Sequence, residues 1–180
     1  MRARMIGQWV VAAGLALSLA SCRATPPEPS IAQRVENPHL GLAIAALPGG
    51  FVVEANDADS FRLRRSDGEG VLWVEAGPEQ VSGINLVEEV KGRRALFQEA
   101  PEGHYFGNRE LMTPNGTAFT ARGAYSVEDG RVEEIWVYTL HPAANRLVTL
   151  TYRYPAGGDS QQRVSELVEL LGEVEALVRD

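Results

Sequence analysis

Cysteine is almost missing from this chain: among 180 residues there is one, Cys22. A lone thiol can build neither an internal disulfide nor a Cys-based zinc cage, so a folded domain must rest on its hydrophobic core. Basic charge is scarce as well. Seventeen Lys and Arg stand against 24 Asp and Glu, a formal net charge of −7, and no basic run interrupts that balance. Nucleic acid is thereby excluded as a partner, and so is electrostatic adhesion to anionic lipid. The three histidines, His39, His104 and His141, lie in separate segments and show no H-x-x-x-H or H-E-x-x-H spacing, so no metal is expected. Neither G-x-S-x-G nor a glycine-rich phosphate loop occurs, so no catalytic residue and no cofactor is assigned. The adjacent carboxylates Glu133 and Glu134 fall in a strand-like segment, where neighbours point to opposite faces and cannot act as one dyad. Glu88 and Glu89 are expected on a solvent-facing helix surface.

Long apolar runs are also absent except at the start. Met1 to Met5 carry two arginines and no acid, and Ile6 to Ala20 follow without a charge. As a helix those fifteen residues span about 22 Å, against roughly 30 Å of bilayer hydrocarbon. The pattern is that of an export signal rather than a permanent membrane span. It ends in Leu19-Ala20-Ser21-Cys22, which resembles the lipobox of bacterial lipoproteins. That resemblance implies diacylglycerol transfer to the Cys22 thiol, removal of residues 1–21 as a signal peptide, and membrane attachment through the acyl chains on Cys22. Arg23, rather than an acidic residue, follows the cysteine. This favours the outer membrane where the envelope has one, with the domain facing the periplasm or the exterior. Three prolines between Arg23 and Ser30 favour an extended chain, so residues 22–37 are read as lipidated cysteine and tether, and residues 38–180 as one domain.

Within that domain, short apolar segments alternate with turn residues. Strands are expected at Leu40–Ala46, Phe51–Glu54, Ser60–Arg64 and Val71–Ala76. Asn85, with Glu88 three residues on, opens a helix expected over Asn85–Glu99. Strands follow at Thr117–Val127, after the turn Asn115-Gly116, and at Arg131–Leu140 and Arg146–Tyr154. Arg131–Leu140 is apolar on both faces and is expected to be central. His141 belongs to the connection that follows it. Asp159 caps a last helix with an apolar stripe from Val164 through Leu167, Val168, Leu171 and Val174 to Val178, leaving Arg163, Glu166, Glu169 and Glu173 to water. The fold class is α+β, a mainly antiparallel sheet packed with two helices.

The segments from Gly130 to Leu140 and from Arg146 to Pro155, the amphipathic helix after them, and the opening Leu42 to Phe51 resemble Mog1/PsbP-like domains. The resemblance implies a binding or assembly module without shared catalytic residues. Together with the lipobox it points to a non-catalytic, lipid-anchored protein of the cell envelope with a protein partner there. A small-ligand carrier, or an envelope enzyme with a site assembled from dispersed residues, stays open. The segment Pro101–Asn108 reads as a loop carrying Glu102, His104, Tyr105 and Phe106, and it is the first place to look for a ligand or partner site.

Overall fold

The computed structural model describes residues 33–114 and 116–177. The expected signal segment, Cys22 and most of the tether lie outside the described residues, as do Asn115 of the expected turn and Val178 of the expected stripe. In chain order the elements are β1 (Val35–Asn37), β2 (Leu42–Ile44), β3 (Phe51–Asn56), β4 (Ser60–Arg65), β5 (Val71–Ala76), α1 (Leu86–Glu99), β6 (His104–Thr113), β7 (Gly116–Val127), β8 (Gly130–Leu140), β9 (Leu147–Pro155), α2 (Ser160–Glu173) and β10 (Val174–Ala176).

Seven strands form the main sheet in the order β3-β4-β5-β9-β8-β7-β6, and every neighbouring pair is antiparallel. Helix α1 carries the chain from β5 to the far edge, and the hairpins β6 to β9 then fill the space back to β5. A second sheet, β1-β2-β10, stacks with α2 on one face of the first. This is the expected α+β class.

Strand alternation explains the two faces. Phe61 and Leu63 of β4 are fully buried while Arg62 and Arg64 are exposed. Val148, Leu150, Tyr152 and Tyr154 of β9 enter the core beneath α2. Strand β8 is central, as its two apolar faces require: Ile135 and Val137 join that core, and Tyr138 joins a smaller cluster under α1 with Val90, Phe97 and Ala121.

Both helix caps are those the sequence predicts. Asn85 Oδ1 accepts from the N–H groups of Val87 and Glu88 at 3.2 and 3.4 Å. Asp159 Oδ1 accepts from Gln161 and Gln162 at 3.0 and 3.1 Å. Such a cap contributes about 1 kcal/mol. Only Val90 and Phe97 of α1 are fully buried, so two residues anchor the helix. Phe97 lies directly over Gly123 of β7, where a Cβ would overlap its ring.

Four expectations need correction. Val35–Asn37, expected in the tether, is a strand paired with β2, with Val35 and Asn37 buried. The expected loop Pro101–Asn108 is loop only to Gly103; His104 onward is the ten-residue edge strand β6, paired with β7 except at the bulge between Tyr105 and Gly107. Helix α2 stops at Glu173. Val174 and Ala176 fit a two-residue period as well as a helical one, and the free edge of β2 decides the matter by pairing with them. Finally, Arg163, 6% exposed, and the Glu166 side chain, 13% exposed, do not face water. The Arg163 guanidinium carbon lies 5.8 Å from the centroid of the Tyr154 ring, and its terminal nitrogens reach Glu69 at 3.2 Å and Glu166 at 3.4 Å. A long cationic side chain can be buried this way when its head still meets carboxylates.

His141 sits in the β8–β9 connection but is buried. The Ala143 N–H donates to its Nδ1 at 3.1 Å, so Nε2 carries the proton and donates to the Leu40 carbonyl at 3.3 Å. The ring is therefore neutral, and burial, with Arg146 nearby, pulls its pKa below the usual value. Arg146 donates to the carbonyls of Gly77, Leu40 and Ala76 at 2.7, 2.9 and 3.3 Å, tying three segments together.

Candidate functional site on the open half of the sheet

Helix α1 covers only β6, β7 and β8 on its side of the sheet. Beyond it, no helix of the described residues lies over the same face of β9, β5, β4 and β3, and its outward side chains include Arg153, Trp73, Glu75, Arg62 and Arg64. Strand register brings the functional groups together. Trp73 pairs with Thr151, and Thr151 with Trp136, so the two tryptophans flank a buried threonine on three adjacent strands. Gly123 pairs with Glu134 and Glu134 with Arg153 in the next row.

Glu134 is the centre. Although it is a carboxylate it is 4% exposed. It accepts from the Tyr125 hydroxyl at 2.7 Å, from Arg153 Nε at 2.8 Å and from the indole N–H of Trp136. Three donors make a buried carboxylate tolerable. The same arrangement raises the Tyr125 hydroxyl to a pKa of about 12, chiefly through burial and then through the hydrogen bond to Glu134. On the α1 side, the Arg93 guanidinium stacks on Trp136, 3.3 Å from the ring centroid, and its Nε donates to the Tyr138 hydroxyl. Tyr138 too is raised to about 12, by burial first. On the other side Arg153 lies 5.5 Å from the Trp73 ring and 5.8 Å from that of Tyr125.

The outcome is a row of alternating rings and charges, Trp73, Arg153, Tyr125, Glu134, Trp136, Arg93, running from the open sheet to the edge of α1. Leu96, 53% exposed, forms the lip of a shallow cleft beside it. Each arginine is held by its Nε and lies against aromatic rings. Trp, Tyr and Arg held rigid in this way lose little entropy when a partner covers them. As chemistry the row can bind, through its ring faces and guanidinium groups. Among the described residues, no three His, Cys, Asp or Glu side chains gather as metal ligands.

The four residues singled out in Pro101–Asn108 are spread over both faces of the β6 end. Glu102, in a left-handed turn at φ 50°, accepts from the Ser126 hydroxyl at 2.6 Å. Tyr105 packs under α1 against Phe97, with centroids 6.1 Å apart. His104 and Phe106 lie together on the α2 side, 5.1 Å between ring centroids. Tyr105 thus lies on the opposite face from the His104–Phe106 pair. The row around Glu134 was not singled out in the sequence, although one signal was present: Trp73 and Trp136 are two of three tryptophans, and Glu134 and Trp136 share a strand face by their spacing of two.

No protein-family model matches the chain, and no curated protein matches it by sequence. Solved structures do match. The Ran-binding protein Mog1p of Saccharomyces cerevisiae superposes with a TM-score of 0.55 at 11% identity, covering 81% of this chain and 95% of that one. Cyanobacterial PsbP from Synechocystis gives 0.53 at 13% identity, over 86% and 98%. The fold is Mog1/PsbP-like. A Bacteroides thetaiotaomicron protein also shares it, with a TM-score of 0.55, 13% identity and 83% of this chain covered; this chain spans about half of that longer protein, 49%. At these identities the likeness concerns the Mog1/PsbP-like fold alone, and the row around Glu134 stands on its own geometry.

Proposed function

We propose that this chain is a non-catalytic binding or assembly module, held at the cell envelope by lipid on Cys22, whose protein partner docks on the open half of the main sheet. The observation that carries this reading is the half-covered face with Trp73, Arg153, Glu134, Trp136 and Arg93 fixed along it. Interface centres are enriched in these ring and guanidinium side chains. The charge on the face names the kind of partner. Arg62, Arg64, Arg93 and Arg153 gather there against Glu54, Glu75 and Glu134, so the face is net positive in a chain of net charge −7; Glu54 is shared between Arg62 and Arg64 at 3.1 and 3.8 Å. The surface therefore fits an acidic segment bearing an apolar side chain for the cleft at Leu96. That Mog1p, with the same fold, is a Ran-binding protein supports a module that recognises protein. The cleft beside Leu96 and Phe97 holds about 160 Å³, less than the roughly 300–1,000 Å³ of sites that enclose a whole small ligand, so it suits a single apolar side chain.

The anchor and the docking face are tested separately. Fatty-acid labelling is expected for the wild type and lost in Cys22→Ala; labelling that survives the substitution refutes the anchor. Crosslinking and pull-down from the native envelope should return a partner with the wild type and lose it with Trp73→Ala/Arg153→Ala. Equal recovery by a correctly folded double variant refutes the docking face.

A further inference from the structure

On the opposite face of the sheet, at its β6 edge, a second feature goes beyond that reading. We propose that the cleft between the β6 bulge and helix α2 is a phosphoryl-binding site, with Arg122 and Arg109 as its two ligands.

The β6–β7 register shifts between Tyr105 and Gly107, so Phe106 is an extra residue, and Gly107 takes up the bend at φ 119°. Gly107 then stands opposite Arg122, and Arg109 opposite Thr120. Arg122 and Thr120 are two apart on β7, so both arginine side chains leave the same face of the ladder. They line a cleft of about 190 Å³ with Asn108, Thr120, Phe106 and Val164. Phe106 forms its rim, 6.0 Å from the Arg122 guanidinium carbon to the ring centroid, with His104 stacked behind it.

Charge in this cleft is uncompensated. Among the described residues no carboxylate lines it. Among the described residues neither arginine has a hydrogen-bond acceptor or an ion-pair partner, and Arg122 Nε is buried without one. Glu133, diagonal to Arg122 on β8, is taken up by the Tyr154 hydroxyl at 3.0 Å and the Gly157 N–H at 3.5 Å, and lies beyond ion-pair distance. Two other inward-turned arginines are supplied: Arg65 by Asp67 and Glu166, and Arg146 by three carbonyls. Arg163 also has an unpartnered buried Nε, but its terminal nitrogens meet Glu69 and Glu166. A buried guanidinium N–H without an acceptor is costly, so a cleft with two unpaired arginines is built to receive oxyanion oxygens. Two guanidiniums and no carboxylate match a doubly charged phosphoryl group better than a single carboxylate. The exposed Phe106 ring at the rim fits a phosphate monoester with a flat substituent.

The test is titration of the full chain in detergent with inorganic phosphate, phenyl phosphate and acetate at constant ionic strength, read from the backbone amide resonances of Gly107 and Asn108. Saturable shifts are expected with phosphate, tighter with phenyl phosphate, and weakest with acetate. Arg122→Gln should weaken phosphate binding by about 10–100-fold, the loss of a charge-assisted hydrogen bond, with Arg122→Lys restoring only part of it. Arg109→Gln, on the exposed rim, should weaken it several-fold, about 3–10, without altering the fold. Arg62→Gln and Trp73→Ala, on the other face, should leave it unchanged, so the outcome is separate from that of the docking face. Non-saturable shifts in the wild type, or full affinity in folded Arg122→Gln or Arg109→Gln, would overturn the proposal.

Discussion

Glu134→Ala removes the one acceptor that Tyr125, Trp136 and Arg153 share. A hydrogen bond to a charged group contributes about 1.5–3 kcal/mol when buried, but these three are not equivalent. The Arg153 side chain is 45% exposed, so it resolvates and its share falls to about 1 kcal/mol or less. Tyr125 and Trp136 are half-buried, which places each near the low end of the range. Releasing the desolvated carboxylate gives part of this back. The expected net loss is about 2–3 kcal/mol, or roughly 5–10 °C in Tm for a domain of this size. Glu134→Gln keeps one carbonyl acceptor and should lose about half as much. Urea unfolding followed by tryptophan fluorescence measures both, because Trp136 reports the site directly. A Glu134→Ala protein within about 0.5 kcal/mol of the wild type would refute the reasoning, since that is the scatter of ordinary surface substitutions.

Two further outcomes follow from the packing. Gly123→Ala forces the Phe97 ring off β7 and should cost about 1–3 kcal/mol, with Phe97→Leu recovering part of the loss in the double variant; additive losses would contradict the contact. His141 is neutral in the fold with a lowered pKa, so below about pH 6.5 the unfolded chain binds a proton that the folded chain refuses. Stability should therefore fall as pH drops through that value towards the folded pKa, and His141→Gln should flatten this part of the profile; parallel urea midpoints for the two proteins between pH 5 and 7.5 would contradict it.

Much of the fold was legible because its signals are local. The Asn85 and Asp159 caps and the alternation of Phe61 and Leu63 with Arg62 and Arg64 need no tertiary information. The two apolar faces of Gly130–Leu140 also announced its central place. What was illegible depends on partners distant in sequence. Val174–Ala176 becomes a strand because β2 has a free edge, and Arg163 turns inward because Glu69 waits across from α2. The row around Glu134 was hidden for the same reason. Its members come from β5, α1, β7, β8 and β9, and only strand register sets Trp73, Thr151 and Trp136 side by side. The segment flagged at residues 101–108 has no periodicity to mark it as an edge strand, and its bulge at Phe106 is set by pairing with β7.

The docking face is tested most directly by placing a photo-crosslinking amino acid, one position at a time, in the full chain in its native envelope. Glu75 and Leu96 lie at the two ends of the row, and Val81 and Met112 are exposed away from it. One discrete protein adduct should form from positions 75 and 96, vanish with Arg153→Ala, and be absent from positions 81 and 112. Adducts of equal yield from all four positions, or from 81 and 112 alone, would contradict a partner on the open half of the sheet.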